Sequence, residues 1–243
     1  MGMKTFIISF VFLLALDSVS GQDNKRNSSF EYIEDSSDSS SITLMKSQTV
    51  VSEKNSDIAS MYYTIKMRAR GMDANCFRFK SFTRDSSGTM TLTLDTYYAK
   101  EEFIKSNFQN HPTNTVYVIG DGEFSEKTYS FRVNGEKKII SSGTFYEVII
   151  PSGGKAKINK GGFTGTTAII SWEEGKPCQF LSLSGFGLAG GHNALYPYAT
   201  YLGGMGIGVS FTTGKLKSVE RNFGLLMTDI LKQVPTALYG TTD

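Results

Sequence analysis

Three glycines within residues 184–191, SGFGLAGG, have the G-x-G-x-x-G spacing that cradles the pyrophosphate of a dinucleotide: Gly185, Gly187 and Gly190. That chemistry needs a parallel strand before the glycines, a helix after them and an acidic residue about 20 positions later. Here Pro197 falls where the helix should run, and no Asp or Glu occurs between Glu174 and Glu220. The sequence therefore predicts no nucleotide site and no cofactor.

Other catalytic patterns are also missing. The two histidines, His111 and His192, do not stand in a metal-ligand spacing such as H-E-x-x-H, and no G-x-S-x-G nucleophile motif is present. A pair of glycosidase carboxylates remains open, because the fold and not the spacing sets that geometry. We therefore predict no catalytic residue and no metal ligand, and we expect a protein that is not an enzyme.

The residues best suited to recognition are the tyrosines of the run YPYATY: Tyr196, Tyr198 and Tyr201. Flat amphipathic rings in an exposed loop bind sugars and proteins well. We predict that these tyrosines form a binding loop between two glycine-rich strands. The alternative is that their rings cover the protein core.

The first 21 residues have the order of a secretory signal peptide. Lys4 precedes an apolar run over residues 6–16, and small residues follow up to Gly21. The run is too short to span a bilayer, which needs about 20 residues. We expect a cleaved signal peptide over residues 1–21 and a secreted, extracellular protein. Its formal net charge of +2 gives no reason to expect a nucleic-acid partner.

Residues 22–41 are polar and rich in Ser and Asp, which predicts a flexible tail. Asn27 lies in the sequon Asn-Ser-Ser of this tail, and we predict that it carries an N-glycan unless the sequon is unused. In an oxidising compartment two cysteines usually pair, so Cys76 and Cys178 are predicted to form a disulfide. Two buried free thiols, or pairing between chains, are the alternatives.

Short strands are predicted over residues 42–173. The runs YYTIKM (62–67) and TMTLTL (89–94) alternate apolar and polar residues, and DSSG (85–88) supplies a turn before the second run. Asn134-Gly135 favours a type I′ hairpin between YSFRV and KKII. Strands at this frequency, with no helical pattern between them, predict a mainly β fold built as an antiparallel β-sandwich or jelly roll.

Residues 174–243 are predicted to pack on the same domain. The uncharged stretch 177–214 contains two candidate strands, QFLSLSGF and GIGVSFTT, which either lie in the core or form a membrane-inserting hairpin. Residues 217–234 have helical apolar spacing, so we predict one C-terminal α-helix, capped by Ser218 and ended by Pro235. Gly224 within that helix costs about 1 kcal/mol relative to alanine.

A resemblance supports the β assignment. The segment TVYVIGDGEFSEKTYSF, followed by a strand pair and GGFTGTTAIISW, is similar to the second half of a CUB domain. The matching positions are Val116, Val118, Asp121, Gly122, Gly162 and Phe163. With the signal peptide and the Ser-rich start, the chain resembles the secreted CUB-like proteins that nematodes make in large families. Calcium binding is not carried over, because Thr113-Asn114-Thr115 stands where many CUB domains have an acidic residue.

The resemblance implies an extracellular role, often in innate immunity, without catalytic activity. We therefore expect a secreted binding or recognition protein whose partner is an extracellular protein or carbohydrate. The alternative is a secreted pore-forming protein that inserts a β-hairpin, and contact with a membrane is expected only in that case.

Overall fold

The computed structural model describes residues 30–37, 39–52, 57–122, 124–161, 165–184 and 216–235. Within these ranges the chain is mainly β, with three α-helices: α1 (Ile58–Arg70), α2 (Glu101–Asn110) and α3 (Arg221–Ile230). The strands are β1 (Glu31–Tyr32), β2 (Ile42–Val51), β3 (Cys76–Arg84), β4 (Met90–Ala99), β5 (Thr115–Ile119), β6 (Thr128–Val133), β7 (Glu136–Ser141), β8 (Thr144–Ile149), β9 (Lys155–Lys160), β10 (Thr166–Ser171), β11 (Gln179–Ser182), β12 (Lys217–Val219) and β13 (Lys232–Gln233). The three helices correct the prediction of a single one.

The strands of the described residues form three sheets. The N-terminal sheet has the order β1-β3-β4-β2, the central sheet β12-β11-β5-β8-β13, and the outer sheet β10-β9-β6-β7. Most neighbours are antiparallel, but β1 with β3, β11 with β5, and β13 with β8 are parallel pairs. The fold is therefore not the purely antiparallel one that the sequence predicts.

The central sheet is covered on both faces. All five residues of β5, TVYVI, are buried, as expected for a strand with no solvent face. Val116 and Val118 contact the outer sheet, in a core that also contains Phe131 and Ile158. The central and outer sheets thus share this core.

The opposite face of the central sheet packs against helices and the N-terminal sheet. Tyr117 and Phe180 belong to a second core that also holds Tyr62 of α1, Phe223 of α3 and Phe77 of β3. Helix α3 lies between the central and N-terminal sheets, since it contacts β1 and β3 of one and β11 of the other. Helix α1 packs on β2 and β4 of the N-terminal sheet.

Two hairpins agree with the predicted turns. Asn134 and Gly135 have φ of 50° and 92°, as a type I′ turn requires, and Val133 pairs directly with Glu136. The turn after β3 is held by Asp85, whose carboxylate accepts hydrogen bonds from the backbone N–H of Ser87 and of Thr89. The prediction of alternation in β4 is also confirmed, because Met90, Leu92 and Leu94 are buried.

The predicted strand over residues 62–67 is wrong, since this run lies in α1. Asp57 caps the helix by accepting from the Ser60 backbone N–H at 2.7 Å, and the Ser60 hydroxyl completes the capping box. The buried side chains of α1 recur at helical spacing: Ile58, Met61, Tyr62, Ile65 and Ala69. Tyr63 and Met67, which the alternating pattern places inside with Ile65, are exposed.

The C-terminal helix is shorter than predicted. Residues 217–219 form β12, and Glu220, not Ser218, caps α3 by accepting from the backbone N–H groups of Asn222 and Phe223. The helix ends at Ile230, before Pro235. No helix of the described segments has the length and apolarity needed to cross a membrane.

The predicted tail also differs from the structure. Residues 30–33 of the segment 22–41 are buried, and β1 pairs with β3 in the N-terminal sheet. Phe30 stacks on Phe77 with ring centroids 4.7 Å apart. The middle of this segment is therefore part of the core.

Candidate functional site

Polar side chains gather where β1, α2 and α3 meet, most of them buried or partly buried, with Asp229 at the exposed edge. We call the group the polar cluster, and its members are Glu31, Tyr32, Glu34, Ser37, Asn107, His111, Arg221, Asn222 and Asp229. Titratable groups gathered in one buried place are the first candidates for a functional site.

Asn107 holds the N-terminal segment against α2. Its side-chain carbonyl accepts from the Ser37 hydroxyl at 2.8 Å and from the Glu34 backbone N–H at 3.2 Å. Its amide group donates to the Tyr32 carbonyl at 2.7 Å and lies 3.3 Å from His111 Nε2. Asn107 is the buried residue of an otherwise solvated helix, so these bonds anchor α2.

An ion pair joins β1 to α3. Arg221 Nη2 lies 3.1 Å from Glu31 Oε2, and each side chain is only about one-tenth exposed. The Arg221 guanidinium also lies 3.9 Å from the ring centroid of Phe108, which is a cation–π contact with α2. Arg221, on α3, thus contacts β1 through an ion pair and α2 through a cation–π contact.

Tyr32 links the same strand to the end of α3. Its hydroxyl donates to Asp229 Oδ2 at 2.7 Å, and its backbone N–H donates to the side-chain carbonyl of Asn222 at 3.1 Å. Burial raises the pKa of Asp229 to about 6, although the bond from Tyr32 lowers it. Burial and the Asp229 charge raise the pKa of Tyr32, so its hydroxyl stays protonated and remains a donor.

His111 is held in the neutral form. Burial lowers its pKa to about 4, and the nearby Arg221 charge acts in the same direction. Its Nδ1 is buried and has no hydrogen-bond partner within the described residues. A neutral imidazole beside a fixed guanidinium is poorly placed to receive a proton, so this histidine packs between the elements.

Two shallow clefts flank α2. One, of about 400 Å³, is lined by Ser37, Lys100, Phe103 and Asn107 among others. The other, of about 240 Å³, is lined by His111, Phe108, Pro112 and Pro177 among others. The cluster residues that line these clefts are Ser37, Asn107 and His111, and none of the cluster's carboxylates lines either one.

The two cysteines lie near this region as free thiols, and the predicted disulfide is absent from the structure. Cys76 packs with Ile33 and Ala99, whereas Cys178 belongs to the large core between the sheets. Burial raises the pKa of both thiols to about 12, so neither forms a nucleophilic thiolate at neutral pH. The alternative of two buried free thiols describes the structure.

The thiols provide a direct test in solution. We expect neither Cys76 nor Cys178 to react with Ellman's reagent in the native protein at pH 8, because both are buried and protonated. Both should react at once in guanidinium chloride without added reductant. A denatured chain that shows no reactive thiol until it is reduced would instead establish the disulfide.

Other residues singled out in the sequence are only partly described. Asn27, Tyr196, Tyr198 and Tyr201 lie outside the described residues, as do Gly162 and Phe163. Asp121 is fully buried at the end of the central strand β5, where it accepts from the hydroxyls of Tyr129 and Ser142. Its role is therefore to hold the start of the outer sheet.

The described residues contain no group of three His, Cys, Asp or Glu side chains that could hold a metal ion. Sequence reasoning missed the polar cluster altogether. Its members come from three parts of the chain, with hydrogen-bonded partners up to 197 residues apart, and no spacing or motif connects them.

Exposed apolar side chains lie on both sides of the N-terminal sheet near the edge strand β2, which pairs only with β4 among the described strands. Leu44 and Val51 pair with Tyr97 and Thr91, so they lie on the sheet face away from α1. Six large apolar side chains on β2 and on the neighbouring α1 and β4 are between 41% and 56% exposed, and we call them the β2 surface: Leu44, Met45, Val51, Tyr63, Met67 and Tyr98. Lys46 and a bulge between Leu44 and Lys46 interrupt the edge, as in strands protected against self-association.

Comparison with known proteins gives no further assignment. No protein-family model matches the chain, and no characterised protein or solved structure is similar to it at a significant level.

Proposed function

We propose that this chain is a secreted, non-enzymatic recognition protein that binds an extracellular protein or carbohydrate. The observation that carries the proposal is the β2 surface, with six exposed apolar side chains around a strand edge. Exposed apolar groups beside unpaired strand backbone are a common basis for partner binding. The secretory pattern of residues 1–21 supports an extracellular location.

The polar cluster supports the same proposal. Its groups bond to one another across β1, α2 and α3, and the thiols beside it are buried and protonated. A nucleophile with an adjacent base is the usual arrangement for covalent catalysis, and the cluster has a neutral histidine and a tyrosine-bound carboxylate instead. We infer that the polar cluster rigidifies the N-terminal sheet, which contains both β1 and β2.

We also propose that the sandwich of central and outer sheets is the part related to CUB-like jelly rolls, with a role in innate immunity. The support is local. Val116 and Val118 lie in a strand that ends just before Asp121, and Asp121 holds the following hairpin through Tyr129 and Ser142. Helices α1 and α2 and the N-terminal sheet lie outside this part.

The pore-forming alternative requires residues 177–184 to leave the core. β11 is bonded to β5 on one side and β12 on the other, and its Phe180 ring stacks on Tyr117 at 4.9 Å. Leu183 is 1% exposed, in the core between the two sheets. Inserting this segment in a bilayer would expose that core to water, which is unfavourable.

A dye-release assay distinguishes the two functions. The purified secreted protein is expected to leave dye-loaded phospholipid vesicles intact at micromolar concentration, because β11 remains paired in the central sheet. Concentration-dependent release below that concentration would contradict the proposal. If Val209→Asp, on the proposed membrane face of residues 177–214, then abolished release while Lys217→Asp did not, the pore-forming function would replace it.

A further inference from the structure

The solvent face of the outer sheet differs in charge from the rest of the molecule. Residues that point toward the central sheet are apolar and buried, among them Phe131, Ile140, Ala156, Ile158 and Ala168. Because side chains alternate along a strand, the intervening positions face solvent. On β6, β7 and β9 these positions include four cations, which we call the basic face: Arg132, Lys137, Lys155 and Lys157.

No acidic side chain balances the basic face on these strands. Glu136 is the one carboxylate in β6, β7, β9 and β10, and it lies one position away from Lys137, so it points to the other side of the sheet. There it pairs with Lys138 at 2.9 Å. The whole chain has 25 basic and 23 acidic residues, so four cations without an anion are a local concentration of charge.

The strand register places these cations next to one another. Arg132 is directly opposite Lys137 on β7, which puts two like charges on a pair whose Cβ atoms are about 5 Å apart. On its other side Arg132 is opposite Asn159, and Lys157 is two residues from Asn159 on the same face. Diagonal neighbours of this kind lie about 7–8 Å apart, so the charges form a track across three strands.

The Arg132 side chain is fixed within the track. Its Nη1 donates to the Gly135 carbonyl at 2.8 Å, at the turn between β6 and β7. In the described residues none of the four cations forms an ion pair with a carboxylate. Opposed like charges destabilise a strand pair, and an anionic ligand would remove that cost.

We infer that the basic face binds a sulfated polysaccharide. The inference rests on the proposed extracellular recognition function and names the chemistry of one ligand. Between the cations stand side chains able to hydrogen-bond hydroxyl and sulfate groups, Ser130, Asn159 and Thr167. A linear polyanion matches a flat track of charges with polar neighbours.

A membrane surface fits this face less well. The exposed apolar residues here are Ile139 on β7 and Ile169 on β10, at opposite edges of the sheet. Peripheral membrane proteins insert a continuous apolar face below the headgroups. Two separated isoleucines within a flat polar sheet do not supply one.

Heparin is the probe for the test, with two variants that each remove three positive charges. Arg132→Gln, Lys137→Gln and Lys157→Gln together remove three of the four cations of the basic face, while Lys46→Gln, Arg70→Gln and Lys232→Gln remove three exposed cations elsewhere. By calorimetry at low salt, the first variant should bind heparin about tenfold or more weakly than the native chain, and the control within about twofold. Binding of the native chain should weaken as salt is added.

Further measurements check that the variants fold and identify the results that would overturn the inference. Matching thermal unfolding temperatures would show that both triple variants fold, and Lys157→Gln alone should give an intermediate loss if the larger change does not fold. Equal losses in both triple variants, unchanged affinity for desulfated heparin, or no heparin binding would each overturn the inference. Binding to phosphatidylserine vesicles without heparin binding would assign the face to membranes. None of these results alters secretion or dye release, so the proposed function is tested separately.

Discussion

Replacing Arg221 by methionine is expected to lower the free energy of unfolding by about 3–5 kcal/mol, because a buried ion pair loses one partner. Glu31 lies 3.1 Å from Arg221 and is about nine-tenths buried, so its carboxylate would stay in a poorly solvated place without that cation. The variant also loses the contact of the guanidinium with the Phe108 ring. Urea unfolding followed by circular dichroism measures the loss as a lower midpoint at an unchanged m value.

Two further variants separate the buried charge from other effects. The double variant Glu31→Gln with Arg221→Met should recover much of the stability, since no uncompensated charge remains. Lys105→Met is the matched control, because Lys105 pairs with Glu101 on the exposed face of α2 and should contribute under about 0.5 kcal/mol. If Arg221→Met costs no more than Lys105→Met, the polar cluster does not hold β1, α2 and α3 together.

Local turn chemistry explains which parts of the fold were predictable from the sequence. Asn134-Gly135 specifies its hairpin because both residues adopt positive φ readily, whatever the rest of the chain does. In β4 the alternation of Met90, Leu92 and Leu94 is regular and follows a turn built by Asp85. In both cases the residues that specify the local structure lie within about ten positions of one another in the sequence.

Helix α1 shows that a run of six residues is too short to distinguish a strand from a helix. Over residues 62–67 apolar side chains at Tyr63, Ile65 and Met67 fit a strand, and Ile65 also fits a helix. Only the longer stretch from Ile58 to Ala69, with the Asp57 cap, distinguishes the two periods. The structure buries the helical set because that stripe faces the core beside Phe77.

The polar cluster was beyond sequence reasoning for a different reason. Tyr32 is 197 residues from Asp229 and Glu31 is 190 from Arg221, and these pairs exist only once the sheets have assembled. The Ser- and Asp-rich composition around β1 also favours a tail, and it hides that Phe30 and Tyr32 are core residues. The average polarity of a segment does not show which of its individual side chains are buried.

The role of Gly224 could not be predicted from the sequence, because it depends on one close contact with Phe180. Judged by helix propensity, glycine here is a weakness relative to alanine. In the structure a Cβ atom at this position would lie 2.2 Å from Cγ of Phe180, far inside van der Waals contact. The glycine is what allows α3 to approach β11 so closely.

Replacing Gly224 by alanine is therefore expected to destabilise the protein by about 2–3 kcal/mol, because overpacking at a rigid site outweighs the gain in helix propensity. The Phe180 ring has little freedom to move, since it is 2% exposed and stacks on Tyr117 in the central sheet. Chemical unfolding measures the difference. Gly71→Ala is the matched control, because Gly71 has helical φ and its added Cβ would lie 3.4 Å from the nearest atom, so no loss is expected.

A double-mutant cycle tests whether the Phe180 ring is the cause. In a Phe180→Ala background Cγ, Cδ1 and Cδ2 of Phe180, the atoms nearest the new Cβ, are gone, so Gly224→Ala should cost much less than in the native chain, and the two changes should be strongly non-additive. Equal costs in both backgrounds would show that the helix backbone, and not the approach of α3 to β11, sets the need for glycine. A stabilising Gly224→Ala would mean that α3 does not pack on β11 at this distance, and the burial of β11 that argues against membrane insertion would weaken with it.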